Sequence, residues 1–136
     1  MSAHTLYRYP DALAVVRLGP GADVPSWAVA STLFSVTATA TETTVVCHAS
    51  TVPKRAPREG PFVAYEVAGP LDFALTGVLS GLLGPLAAAE VSVFVVGTYD
   101  TDWILVRANA AARAEEAWAA DGHTVEDAPA RPKDVP

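Results

Sequence analysis

The sequence predicts an α+β fold of ferredoxin-like order, β-α-β-β-α-β, in which two helices cover one face of an antiparallel sheet. Three observations carry the prediction. Phe62 to Ala68 alternates in the period of a strand and is closed by Gly69-Pro70. Leu79, Leu82, Leu83, Leu86 and Ala89 recur at helical spacing. The β-branched run Val91 to Val96 is followed by a turn and a second strand, Asp102 to Val106.

Within the helix, Pro85 removes one backbone donor and predicts a kink. The uninterrupted apolar character of Val91 to Val96 predicts a strand buried on both faces or covered by helices. Gly97 to Thr101 forms the turn. Asn109 is placed to cap an Ala-rich helix over about Ala110 to Ala120, with Ala114 and Trp118 on one face. Gly122 ends that helix, and His123 to Glu126 reads as a short last strand.

The first half reads as an abbreviated copy of the second. Leu13 to Leu18 is a strand, Pro25 to Ala30 is at most one helical turn, and Phe34 to Ala38 with Thr43 to His48 makes a hairpin. Ser35-Val36 aligns with Ser92-Val93, and TATETTVV from Thr39 aligns with TYDTDWILV from Thr98 after one insertion. The expected organisation is two unequal tandem halves packed as one unit. They are an abbreviated half over 1–60 and a complete one over 61–127, followed by an unpacked, disordered tail over 128–136 that reads as loose from Asp127.

Composition limits function. The chain has 136 residues, 51% hydrophobic and 18% charged, enough for one compact domain. A net charge of -6 excludes the clustered basic surface of a nucleic-acid binder; Lys54, Arg55 and Arg58 between Pro53 and Pro57 read as a solvated connector. The single Cys47 excludes an internal disulfide and suits a reducing compartment, and the first residues lack a signal-peptide pattern, so a cytoplasmic location is expected. No charge falls between Phe73 and Ala89, but the glycines, hydroxyls and proline there describe a buried helix and not a membrane span. Adjacent strand residues face opposite ways, so Cys47 and His48 make no nucleophile and base pair. His4 and His123 have no metal-ligand spacing, and no catalytic residue, metal or cofactor is expected.

The motifs GPLDFALTG, PLAAAEVSVF and TYDTDWILVR, with Val24, Pro25, Trp27 and TATETTVVC in the first half, resemble ACT-domain proteins. The resemblance is to the type found in CASTOR arginine sensors and in small bacterial tandem-ACT proteins, over residues 12–125. It implies a non-catalytic regulatory domain that binds an amino acid between two ACT units, and it places ligand contacts at Gly77, Val78, Thr98, Tyr99 and Asp102. Ser92 and Val93 match positions that contact ligand from the opposing unit, which here is the first half or a second chain.

The local chemistry suits such a ligand. Thr76, Gly77 and Val78 at a helix start offer N–H groups for a carboxylate, Thr98 and Tyr99 a hydroxyl, a carbonyl and a ring face, and Asp102 an acceptor for a cation. Leu75 stands where arginine sensors of this type have an acid, which weakens the case for arginine and leaves room for a smaller or more apolar amino acid, while Asp100 and Asp102 keep a cationic ligand open. The competing reading is a ligand-free interaction module that docks a protein partner through the hairpin and sheet edges. Protection of those edges also gives a motive for a homodimer.

Overall fold

One strand organises the molecule. The computed structural model describes residues 3–69, 71 and 76–129, and within them strand β1 spans Thr5–Leu18. It is followed by β2 (Ser35–Ala38), β3 (Thr43–His48), β4 (Arg58–Val67), helix α1 (Val78–Ala88), β5 (Val93–Gly97), β6 (Asp102–Arg107), helix α2 (Ala111–Ala120) and β7 (Thr124–Asp127). The sheet runs β2-β3-β1-β4-β6-β5 with antiparallel neighbours, and β7 lies parallel to the first part of β1.

β1 serves both halves. Leu13 to Leu18 pair with β3, while Thr5 to Arg8 pair with β7, and β4 runs alongside both parts. The last strand therefore does not lie beside β4, as the simple ferredoxin-like order expects; the start of β1 is inserted between them. The expected strand Leu13 to Leu18 is only the later part of this element. A register shift between Arg8 and Ala12 accommodates Pro10, whose missing N–H breaks the ladder locally.

Side-chain parity divides the core. On one face Leu6, Tyr65, Val67, Ile104 and Val106 pack against Leu82 and Leu86 of α1 and Ala114 and Trp118 of α2. On the other face Tyr9, Leu13, Val46, Phe62, Trp103 and Leu105 pack together because the sheet curls on itself. The first half has no α-helix among the described residues. Its cluster of Ala14, Val16, Val45, Cys47 and Val52 is covered by Leu18 at the end of β1 and by Trp27, Ala28, Ala49 and Ala56 from the connecting segments. The Pro25 region is a single turn, with Ala28 N–H donating to Pro25 O. Asp11 holds the following segment by accepting from the Ser31 and Thr32 hydroxyls at 2.6 and 2.9 Å.

Three local expectations are corrected. The run Val91 to Val96 is not enclosed on both faces: β5 is an outer strand, and Val93 to Val96 are half-buried. Asn109 lies within a 3-10 turn, Ala108–Ala110, and the N-cap of α2 is Ala110, with no side-chain cap. The predicted loose tail begins too early. Asp127 belongs to β7 and pairs with Arg8, and Ala128 donates its N–H to Arg8 O and packs on the inner cluster. Residues 130–136 lie outside the described residues.

Candidate functional site

Helix α1 opens on a backbone that only glycine adopts easily. Gly77 is its N-cap at φ 83, and no side chain caps the helix. The first intrahelical bond is Gly81 N–H to Gly77 O, so the N–H groups of Val78, Leu79 and Ser80 precede the ladder. A Cβ placed at Gly77 would meet no atom within 4 Å, so this glycine answers to its positive φ and not to close packing. Thr76 and Gly77 are exposed, and Val78 leans on the helix-side core. Leu75, immediately upstream, lies outside the described residues.

The β5–β6 hairpin is tied to the strand end that leads towards α1. Leu71 N–H donates to Asp100 O at 2.8 Å, and the buried Thr101 hydroxyl donates to Val67 O at 2.7 Å. The glycine demanded by close approach is Gly69, where a Cβ would sit 3.0 Å from Leu71 N and 3.3 Å from Asp100 O. Asp102 has the parity of Ile104 and Val106, which places it on the helix-bearing face of the sheet. An opening helix and a carboxylate thus share one face.

The remaining predicted residues divide. The Thr98 hydroxyl donates to Thr101 O at 3.0 Å and accepts from Thr101 N–H at 3.2 Å, so it holds the turn together. Tyr99 is 88% exposed at the hairpin tip. Ser92 and Val93 are at the far end of β5: Val93 pairs with Val106, whereas Gly97 pairs with Asp102. Four residues of extended chain separate the two ends by about 13 Å. Ser92 and Val93 lie away from the Asp102 end of the hairpin.

The first-half counterparts of Ser92-Val93, Ser35 and Val36, instead border a cleft of about 330 Å³ whose opposite wall is Val95 to Gly97 of β5. No pattern within either strand announces this cleft. It exists because the sheet curls and brings its two outer strands to one opening.

One side chain repairs the proline in α1, and a second ties down the next carbonyl. Pro85 has no N–H for Gly81 O, its partner one turn earlier. His123, only 5% exposed, lies with Nε2 3.3 Å from that oxygen while its Nδ1 accepts from His4 N–H at 3.0 Å. Acceptance at Nδ1 assigns the proton to Nε2, which donates to Gly81. Trp118 Nε1–H donates to Leu82 O at 2.8 Å in the next position. The helix that begins at the candidate site is thereby fastened to α2 and to the start of β1.

The main ionic cluster is structural. Arg8 bonds Glu115 at 2.7 Å and Asp127 at 2.6 Å, and the Tyr65 hydroxyl donates to Glu115 at 2.6 Å. Burial and the Glu115 carboxylate push the Tyr65 phenol well above its ordinary range. The Glu115 and Asp127 partners raise Arg8, so it stays charged throughout. Bonds from Ser31 and Thr32 hold the Asp11 carboxyl below its ordinary value. Burial raises the Cys47 thiol, which is fully enclosed. Among the described residues no group of three His, Cys, Asp or Glu side chains could hold a metal, and no helix is long and apolar enough to cross a membrane.

Comparison with known families adds the decisive observation. Residues 60–117, from the end of the connector through most of α2, match the ACT domain model. The chain thus resembles small ACT-domain proteins through its second half. Residues 11–55 match a second model, that of an N-terminal domain. No curated protein matches the sequence.

Among solved structures, an Agobacterium tumefaciens protein is 26% identical with a TM-score of 0.87, over 96% of this chain and 98% of that one. A Vibrio cholerae protein of unknown function, described as a possible transport protein, is 14% identical with a TM-score of 0.70, over 88% and 90%. The aspartate kinase of Clostridium acetobutylicum, described as an allosteric enzyme for amino acids production, is 8% identical with a TM-score of 0.61. That match covers 85% of this chain but only 33% of the kinase. The last two share the fold alone. An ACT domain is a regulatory, non-catalytic unit with a small-ligand-binding role.

Proposed function

We propose that this protein, through its ACT-like second half, is a sensor that binds a free amino acid and passes the binding on as a change in the arrangement of its halves or in a partner surface. One observation carries the reading: an uncapped helix start, opened by a left-handed Gly77, shares a sheet face with the Asp102 carboxylate. A ligand carboxylate on the N–H groups around Val78 gains the positive end of the helix dipole, and its ammonium gains Asp102. Leu75 favours a small or apolar side chain over arginine.

Binding alters a conformational equilibrium only through different contacts in its two states. α1 supplies a route for such a difference, because His123 and Trp118 join its middle to α2 and to β1. Calorimetry with each of the twenty amino acids tests the proposal. At least one binds, and its affinity falls at least tenfold in Asp102→Ala and in Gly77→Val. Circular dichroism and melting check that both variants remain folded, since Val at a positive φ is strained. A folded protein that binds none of the twenty overturns it.

A further inference from the structure

The two outer strands, β2 and β5, face one cleft, and the register states what they present to it. Thr98 N–H donates to Thr101 O, so Thr98 and Thr101 are a hydrogen-bonded pair at the end of the β5–β6 ladder. Such pairs alternate in an antiparallel ladder. Val96 and Phe94 therefore turn their backbone groups inward to β6, and Val95 and Gly97 turn theirs outward. Thr39 N–H donates to Glu42 O in the same way, so Thr37 and Ser35 bond to β3 while Val36 and Ala38 point outward. Val36, Val95 and Gly97 all border the cleft. Among the described residues no strand pairs with either edge.

We propose that this cleft binds a short stretch of polypeptide in extended conformation, added as a strand between β2 and β5. An extended chain directs alternate N–H and C=O groups to its two sides, which is the pattern that Val36 and Ala38 on one side and Val95 and Gly97 on the other require. A strand in this place would lie about 4.8 Å from each edge and engage about three residues. The volume, about 330 Å³, is at the small end of binding pockets and suits three residues with small side chains. Residues turned inward would meet the Ser35, Thr37 and Thr44 side chains along with Val46 and Val96, so short hydroxyl-bearing or β-branched side chains fit. Both walls belong to one chain, so a single extended segment could engage β2 and β5 together.

The adjoining space, about 410 Å³, shares Thr44 and Phe94 with the cleft and carries Arg17, Arg58, Glu42 and Glu59. It extends the path along the curled sheet. This site is separate from the Gly77 and Asp102 group and does not depend on an amino acid binding there.

The probe is an acetylated, amidated Val-Thr-Val tripeptide, titrated into isotope-labelled protein with amide chemical shifts as readout. The amides of Val36, Val95 and Gly97 shift, and the same peptide with its middle amide N-methylated binds at least tenfold more weakly. Val36→Pro removes one outward donor from an exposed edge position and weakens the parent peptide similarly. If that variant melts early, the comparison of the two peptides still decides. Equal binding of both peptides, perturbation by free threonine at the same three amides, shifts confined to Val78 and Asp102, or no shift at the solubility limit would each overturn the proposal. Repeating the titration in Asp102→Ala separates the two sites: the tripeptide still binds.

Discussion

The repair of Pro85 makes a quantitative prediction. Replacing His123 with alanine removes the acceptor for His4 N–H and the donor for Gly81 O. Each lost bond costs about 1 kcal/mol, and truncating a ring that is 5% exposed adds about 1 kcal/mol of lost packing, for about 3 kcal/mol in all. For a chain of this size that lowers the melting temperature by about 10 °C.

Pro85→Ala changes the sum. Alanine at 85 supplies the N–H that Gly81 O lacks, so His123→Ala in that background leaves only the His4 side unpaired. A double-mutant cycle by urea denaturation should show coupling of about 1 kcal/mol, the His123 substitution being milder when residue 85 is alanine. Additivity within about 0.3 kcal/mol would refute the repair. It would mean that the imidazole merely fills space beside α1.

Two further perturbations test the first half. Asp11 is held below its ordinary value, so its carboxylate contributes stability above about pH 4 that is lost as pH falls through the lower folded value. Thermal melts should find Asp11→Asn less stable than the parent at pH 6, with the gap closing towards pH 2; a gap constant with pH would exclude this ionic role. Thr43 is 1% exposed and its Oγ1 has no hydrogen-bond partner among the described residues. Thr43→Val keeps the shape, removes the orphan oxygen and should stabilise by about 1 kcal/mol in urea denaturation, whereas a loss of stability would reveal a partner for the hydroxyl.

Local signals were legible where chain period and local chemistry act alone. Thr43 to His48 emerged with its predicted bounds, α1 and α2 within about one residue of their apolar patterns, and Gly122 as a left-handed terminator at φ 93. Gly77 was readable as a special backbone position, although its open surroundings were not. The first eight residues of β1 were missed because Pro10 and Asp11 are poor strand residues, and a register shift beside Arg8 conceals the alternation. The enclosure of β5 was overstated because an apolar run does not reveal whether its strand is central or outer. Gly69, the Arg8 and Glu115 cluster and the cleft at Val36 and Val95 depend on contacts between distant segments. No window of local sequence contains them.

The division of β1 between two sets of partners bears on how the chain acquires its structure. Thr5 and Thr124, residues of the first and last strands, are neighbours in the finished sheet. During synthesis one edge of the opening segment can pair with β4, but its other edge must stay solvated or transiently mispaired until nearly every later residue has left the ribosome. Contacts of such long sequence separation form slowly, because a large loop must close before they contribute. Either half assembled alone would show a raw strand border where the other belongs, which is the usual seed of association between incomplete chains. The two halves that the sequence suggests are thus joined at both ends of one strand, Leu13 to Leu18 in the first-half pairing and Thr5 to Arg8 in the last.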